Sequence, residues 1–322
     1  MILQNNEKIN FIIGEHREFS TKMSRGGHIM IHLLARKIAE RGHNVYIFAK
    51  PIYPHDNINL IPQTYWEDPA EDSNIATWSY DQFFFPIEKT VSIYPSEIVG
   101  NPYGTKHNVR WILDNVDPTI EETWEDDDVY YIDPWSRGRF KGLRKKDINL
   151  LSVIDYFFED FYAENKHRKG FCYIHHKYTP ENAEEIISQF NPTVIAPFDL
   201  RDNDPNSFLK KKNEYLRNFF NEHEYILTFD DKSYLPVAAA LCGCKAVILR
   251  SPVSPDFHKK LTPTEYRLEN NLAMFGVAYG IEDISWANST IHLTRDHLKE
   301  LEKIDEKSID RFIEFWKTRL NM

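Results

Sequence analysis

Residues 224–250 constrain the fold more than any other stretch: Glu-Tyr-Ile-Leu-Thr-Phe-Asp-Asp-Lys-Ser-Tyr-Leu-Pro-Val-Ala-Ala-Ala-Leu-Cys-Gly-Cys-Lys-Ala-Val-Ile-Leu-Arg. Residues 225–229 are a short apolar run of β-favouring type, which predicts a strand. The polar break from Asp230 to Ser233 carries helix-capping residues. Residues 235–241 are rich in Ala and Leu and predict a buried helix. Gly243 ends it, and residues 246–249 predict the next strand. A ligand of such a strand–helix–strand unit sits at the carboxyl end of the first strand. Here that end presents Asp230, Asp231 and Ser233 at a helix N-terminus, where free backbone N–H groups favour phosphate.

The same alternation recurs along the chain. Residues 8–13 predict a strand, residues 29–40 a helix and residues 45–50 a second strand, with Gly26-Gly27-His28 opening the helix. Two glycines at a helix start let a ligand approach the backbone closely. Gly-x-Gly-x-x-Gly is absent, so this is not the dinucleotide fingerprint. Residues 89–94 predict a strand, 105–113 a helix bearing His107 and Arg110, 129–132 a strand, and 150–161 a strand with a short helix. The second half restarts with strands at 170–175 and 192–198 and helices at 180–190 and 206–220. Two helices, 294–301 and 308–320, close the chain. Strand and helix in alternation predict an α/β protein with parallel, doubly wound sheets. A length of 322 residues suits two domains. The expected division is 1–165, 166–297 and a terminal segment, 298–322, returning to the first domain.

Charge and cysteine usage narrow the function. The net charge is −10, and no long basic stripe appears, which argues against a nucleic-acid partner. The basic run 137–146 reads as a solvated linker, with a peripheral contact to anionic lipid or an acidic acceptor as the other reading. No apolar run approaches the roughly 18 residues of a membrane span, and the first residues lack signal-peptide character. Cys172, Cys242 and Cys244 have no framework or metal-site spacing, which fits a reducing, cytoplasmic setting. His175-His176 has no third ligand at a known spacing.

Four segments carry a resemblance. Asp230, Ser233, Leu235, Ala239, Ala240, Leu241, Gly243 and Cys244 resemble the donor-site motif of GT-B glycosyltransferases from polysaccharide gene clusters, Asp-x-x-Thr-x-Leu-x-x-Glu-Ala-Ala-Leu-x-Gly-Cys, with Ser for Thr. Ala238 stands where the family carries the Glu that holds the donor ribose. Gly26-Gly27, a helix and then Arg41-Gly42-His43-x-Val45 resemble the donor-facing loop of the N-terminal domain. Tyr94, Pro95, Gly100, Asn101, Pro102, Val109, Arg110, Trp111 and Leu113 are similar to a further stretch of these enzymes. So is the Gly-x-Ala-Tyr-Gly-x-x-Asp-x-x-Trp-Ala string within residues 272–287.

The resemblance implies a GT-B fold, two Rossmann-like domains facing a cleft. It implies hexosyltransferase-like transfer of a sugar from a nucleotide-diphosphate sugar to a glycan or lipid-linked acceptor, as in polysaccharide biosynthesis, with no metal and no further cofactor. Lys177, after the strand 170–175, is the expected partner of the donor pyrophosphate, where a cation neutralises the leaving group. Asp230, Ser233 and Tyr234 are expected near the phosphates or ribose, the Gly26 and Gly27 backbone near the diphosphate, and Arg110 facing a phosphate. His28 and His107 are catalytic-base candidates by residue type. Three alternatives stay open: a degenerate GT-B protein that binds without transfer, motivated by Ala238; a GT-A enzyme holding manganese through Asp126 and Asp128; and a GT-B epimerase. Against the second, the acidic window precedes its strand, whereas the GT-A carboxylates follow theirs.

Overall fold

The computed structural model describes residues 8–16, 26–50, 75–76, 87–113, 116, 118–124, 126–132, 148–164, 166–175, 179–195, 205–230, 233–250, 262–265 and 275–322. The chain divides into two compact units, residues 1–155 with 303–322, and residues 156–302. The first boundary lies ten residues before the expected one. Aromatic packing explains the shift: Phe157 and Phe161 lie 5.3 and 6.2 Å from Tyr234, and Phe161 lies 6.4 Å from Phe220, all in the second unit.

Among the described residues, the strands of unit 1 are β1 (Asn10–His16), β2 (Asn44–Lys50), β3 (Ile75–Ala76), β4 (Thr90–Pro95), β5 (His107–Ile112), β6 (Asp128–Tyr131) and β7 (Ile148–Leu150). They form a parallel sheet in the order β3-β2-β1-β4-β5-β6-β7. All six residues of β4 are buried, as expected of a parallel strand covered on both faces. Alternation assigns the faces. Phe11, Ile13, Val91, Ile93, Val109 and Trp111 enter the main core. Ile12 and Tyr94 pack on the other face with Ile98 and Tyr103.

Residues 107–112 were expected within a helix and are strand β5. The period is two: Val109 and Trp111 enter the main core, while Arg110 and Ile112 face the opposite way. Residues 151–161, expected to include a short helix, have none.

Helix α1 (Gly26–Glu40) crosses from β1 to β2 and buries Leu34 and Ile38 in the main core. The chain's last 20 residues complete that core with Ile309, Phe312, Ile313 and Trp316. Arg41, just past α1, donates to Asp310 and Glu306 at 2.7 Å each.

His43 supplies a pH dependence. It is 5% exposed, and its Nδ1 accepts the Ile9 N–H at 3.2 Å. Burial, with a smaller contribution from Lys317, lowers its pKa from 6.5 to about 4. The unfolded chain therefore binds this proton first as pH falls. Stability should hold above pH 6.5 and fall between 6.5 and 4, by about 3 kcal/mol from this group at 1.36 kcal/mol per pH unit. Burial lowers His107 and His297 too, adding slopes of the same sign. Urea unfolding across this range checks it; the slope should be smaller in His43→Gln.

Among the described residues, unit 2 has strands β8 (Phe171–Ile174), β9 (Thr193–Ile195), β10 (Tyr225–Thr228), β11 (Lys245–Ile248) and β12 (Val277–Tyr279). They form a parallel sheet in the order β12-β11-β10-β8-β9. Its helices are α2 (Ala183–Ser188), α3 (Pro205–Glu222), α4 (Leu235–Leu241) and α5 (Ile284–Thr290). The two expected terminal helices are one, α6 (Thr294–Arg319). The segment between them has neither Gly nor Pro to stop it, and it buries Asp305 and Ser308. No described helix is long and apolar enough to cross a membrane.

Candidate functional site

A doubly wound sheet binds ligands outside its carboxyl edge, where neighbouring strands send their connections to opposite sides. In unit 2 this point lies between β8 and β10, because β8 leads to β9 on one side and β10 leads to β11 and β12 on the other. In unit 1 it lies between β1 and β4, and α1 follows β1 there.

The β8–β10 pairing brings two distant parts of the sequence together, with Tyr225 opposite Phe171 and Leu227 opposite Tyr173. Asp230 follows β10 by two residues. It is 1% exposed, and its N–H donates to Thr228 Oγ1 at 3.1 Å. His175 follows β8, is exposed, and meets the Tyr173 ring edge-on at 4.8 Å. Lys177 lies outside the described residues, as does Asp231.

The helix after β10 departs from expectation. Leu235 N–H donates to Ser233 Oγ at 3.3 Å, Pro236 has no N–H, and Ala238 N–H donates to Tyr234 O at 2.9 Å. Two of the first amides of α4 are thus engaged and Pro236 supplies none, so this helix start offers a phosphate fewer donors than its sequence suggests. The Tyr234 hydroxyl donates to Tyr156 O, and its ring packs on Phe157 and Phe161. Tyr234 thus serves packing rather than a donor. Ala238 is fully buried, as is Ala239.

At the unit 1 switch point, Gly26 and Gly27 are the first residues of α1 rather than a loop before it. A Cβ built on Gly27 meets only Leu113 Cδ1, at an ordinary 3.7 Å. Packing among the described residues therefore does not require glycine at 27. Gly14 near the end of β1 differs: a Cβ there comes within 2.8 Å of Ile98 Cδ1 and 3.3 Å of Tyr94 Cδ1. Nothing is described of the His28 side chain.

Two candidates are placed elsewhere. His107 opens β5, so it lies at the amino edge of the sheet, opposite the carboxyl edge. It packs edge-on to Trp316 at 5.6 Å, and burial lowers its pKa. Arg110 is fully buried. Its Nε donates to Asp127 at 2.6 Å, Nη1 to Ile98 O at 2.6 Å and Nη2 to Gly100 O. Its guanidinium lies 4.7 Å from the Tyr94 ring centroid and 5.5 Å from that of Trp124. Burial lowers its pKa and Asp127 offsets this. Arg110 is a structural cation with its nitrogens committed inward, not a phosphate ligand.

The acidic window is also accounted for. Asp127 pairs with Arg110, and Asp128, one of the two carboxylates named for a manganese site, pairs with Arg319. No group of three metal-ligating side chains occurs among the described residues. The cysteines are buried thiols: burial pushes Cys242 up to about 12 and Cys244 well above its ordinary value. Burial thus disfavours the thiolate form at Cys242 and Cys244.

No family model matches the chain, and no curated protein matches it. Among solved structures it is similar to a glycosyltransferase from Rickettsia africae ESF-5, with 7% identity, 97% of this chain and 98% of that chain covered, and a TM-score of 0.48. It is also similar to an S. aureus MnaA–UDP co-structure, with 10% identity, 97% of each chain covered and a TM-score of 0.39. Both scores lie below 0.5, and the functional reading rests on the chain's own residues.

Proposed function

We propose that this protein is a glycosyltransferase of GT-B type that takes a sugar from a nucleotide diphosphate and transfers it to a hydroxyl of a glycan or lipid-linked acceptor without a metal. One observation carries the reading. The carboxyl ends of β8 and β10 are neighbours at the switch point of a doubly wound sheet; in sequence Asp230 follows β10 by two residues and Lys177 follows β8 by three. Many other strand orders would separate the two strand ends.

In this scheme Lys177 neutralises the leaving diphosphate, which is electrostatic stabilisation of developing charge. Asp230 and Ser233 border the ribose or phosphates; on unit 1, taken by itself, the Gly26 and Gly27 backbone offers a phosphate donors at the start of a 15-residue helix. A second reading, binding without transfer, is favoured by the buried Ala238, which stands where the resembled motif carries Glu.

A thermal-shift screen of nucleoside diphosphates and their sugars tests the reading. A ligand at 100 times its Kd should stabilise by about 2.7 kcal/mol. Lys177→Ala should weaken diphosphate binding at least tenfold and leave nucleoside binding within twofold; equal loss of both contradicts the role. Transfer that survives chelator and yields free diphosphate supports the first reading, and tight binding with no turnover supports the second. Gly27→Ala should stabilise the free protein by up to about 1 kcal/mol, the helix-propensity difference, while weakening diphosphate binding. Unchanged binding would remove Gly27 from the site.

A further inference from the structure

The loop after β4, residues 96–100, lies at the unit 1 switch point and is held with unusual completeness. Ile98 N–H donates to Pro95 O at 3.1 Å, and Gly100 N–H donates to Thr123 Oγ1 at 2.9 Å. The carbonyls of Ile98 and Gly100 both accept from Arg110. Tyr94 donates its hydroxyl to Asn101 Oδ1 at 2.8 Å and accepts the Tyr103 N–H at 3.2 Å, tying down the next turn. Gly14 lets Ile98 settle over the end of β1.

A buried ion pair is an expensive way to hold a loop, since desolvation offsets much of its Coulomb gain. What it secures is the alternation of the loop. Ser96 and Ile98 are buried at 2% and 4%, while Glu97 between them is exposed and Val99 is 60% exposed. Glu97 accepts one long hydrogen bond, 3.4 Å from Ser96 Oγ, so its carboxylate retains acceptor capacity. Val99 is the most exposed large apolar side chain among the described residues. A rigid backbone thus presents a carboxylate beside an apolar side chain, at the edge where such sheets bind ligands.

We infer that this loop is a recognition site for a neutral sugar, with Glu97 accepting hydrogen bonds from ring hydroxyls and Val99 covering an adjacent C–H face. Arg110, Asp127 and Thr123 are positioning residues that act through the loop backbone. A carboxylate accepts but cannot donate, so hydroxyl donors suit it. An anionic sugar placed there meets a like charge that has no ion-pair partner among the described residues, and is rejected. The inference rests on the glycosyltransferase reading for its biological sense, and names the acceptor class on unit 1.

The full chain, applied to an array of immobilised neutral oligosaccharides (hexose and N-acetylhexosamine) and uronic-acid oligosaccharides, tests it. Wild type should bind neutral members and not the uronic acids. Glu97→Gln should lose at least tenfold in binding. Thr123→Val, which removes the acceptor of Gly100 N–H, should lose about threefold to tenfold. Arg110→Lys keeps a cation beside Asp127 but loses the fork onto the two carbonyls, and should also lose binding. Each variant should retain its near-UV circular dichroism and the wild-type thermal shift with nucleoside diphosphate, which a general structural defect would not spare. The inference is overturned if wild type binds no neutral member, if it prefers uronic acids, or if Glu97→Gln binds as wild type does. Absence of any nucleotide shift in wild type instead defeats the proposed function and leaves the array result to be read by itself.

Discussion

Arg110→Ala is expected to destabilise the protein by about 3–5 kcal/mol, because it removes the cation bonded to a buried carboxylate. Asp127 is 5% exposed, and its Oδ2 lies 2.6 Å from Arg110 Nε. Asp127→Ala should cost a similar amount by stranding the guanidinium. The double variant should cost clearly less than the sum of the two, since it removes both members of one interaction; residues in contact show this coupling. For a domain of this size each kcal/mol moves Tm by about 2–4 °C, so either single change should lower it by roughly 10 °C. Urea unfolding of all four proteins checks the cycle. Simple additivity would mean that Arg110 and Asp127 stabilise the fold independently.

Trp316→Ala is expected to cost about 3–5 kcal/mol as well, the range for deleting a buried large aromatic. Trp316 is fully buried and belongs to the main core of unit 1 although it lies six residues before Met322. It meets Phe315 at 5.3 Å, Phe312 at 6.5 Å and His107 at 5.6 Å, and Arg319 lies over its ring. Among the described residues its indole N–H has no hydrogen-bond partner, so volume rather than polarity sets the cost. Trp316→Phe should therefore retain more than half of the stability that Trp316→Ala loses. Equal losses would assign an important interaction to the indole nitrogen.

The sequence was informative where period and punctuation agreed. The Ala-rich run before Gly243 is the helix it suggests, and the apolar runs flanking it are neighbouring parallel strands. It misled where a strand carried a charge at its centre. Residues 107–112 read as a helix because Val109, Ile112 and Leu113 have near-helical spacing, yet Arg110 is a buried strand residue whose partner, Asp127, lies 17 positions away. Only the β5–β6 pairing brings the two near each other, and no local pattern reports it. The acidic window hid Asp127 in the same way, because a run of carboxylates reads as solvated until its cation is found.

Site residues were less legible than strands. Ser233 and Tyr234 sit where the motif puts them in sequence, yet Tyr234 turns into an aromatic cluster with residues 157 and 161 that pairwise spacing cannot reveal. His107 fits a base by residue type, but its place at the start of β5 sets it on the amino edge. The exposed Glu97, at the end of a predicted strand, is a lone loop carboxylate with no signature of its own; its buried neighbours and the Arg110 clamp single it out.

Hydrogen–deuterium exchange of the full chain, with and without whichever nucleoside diphosphate gives the largest thermal shift, tests the central claim most directly. Protection should appear in peptides covering residues 175–179 and 229–234, the segments that follow β8 and β10. Protection confined to residues around 107 and 126–128, or no change at the ends of β8 and β10 despite a thermal shift, would contradict a diphosphate site at that switch point.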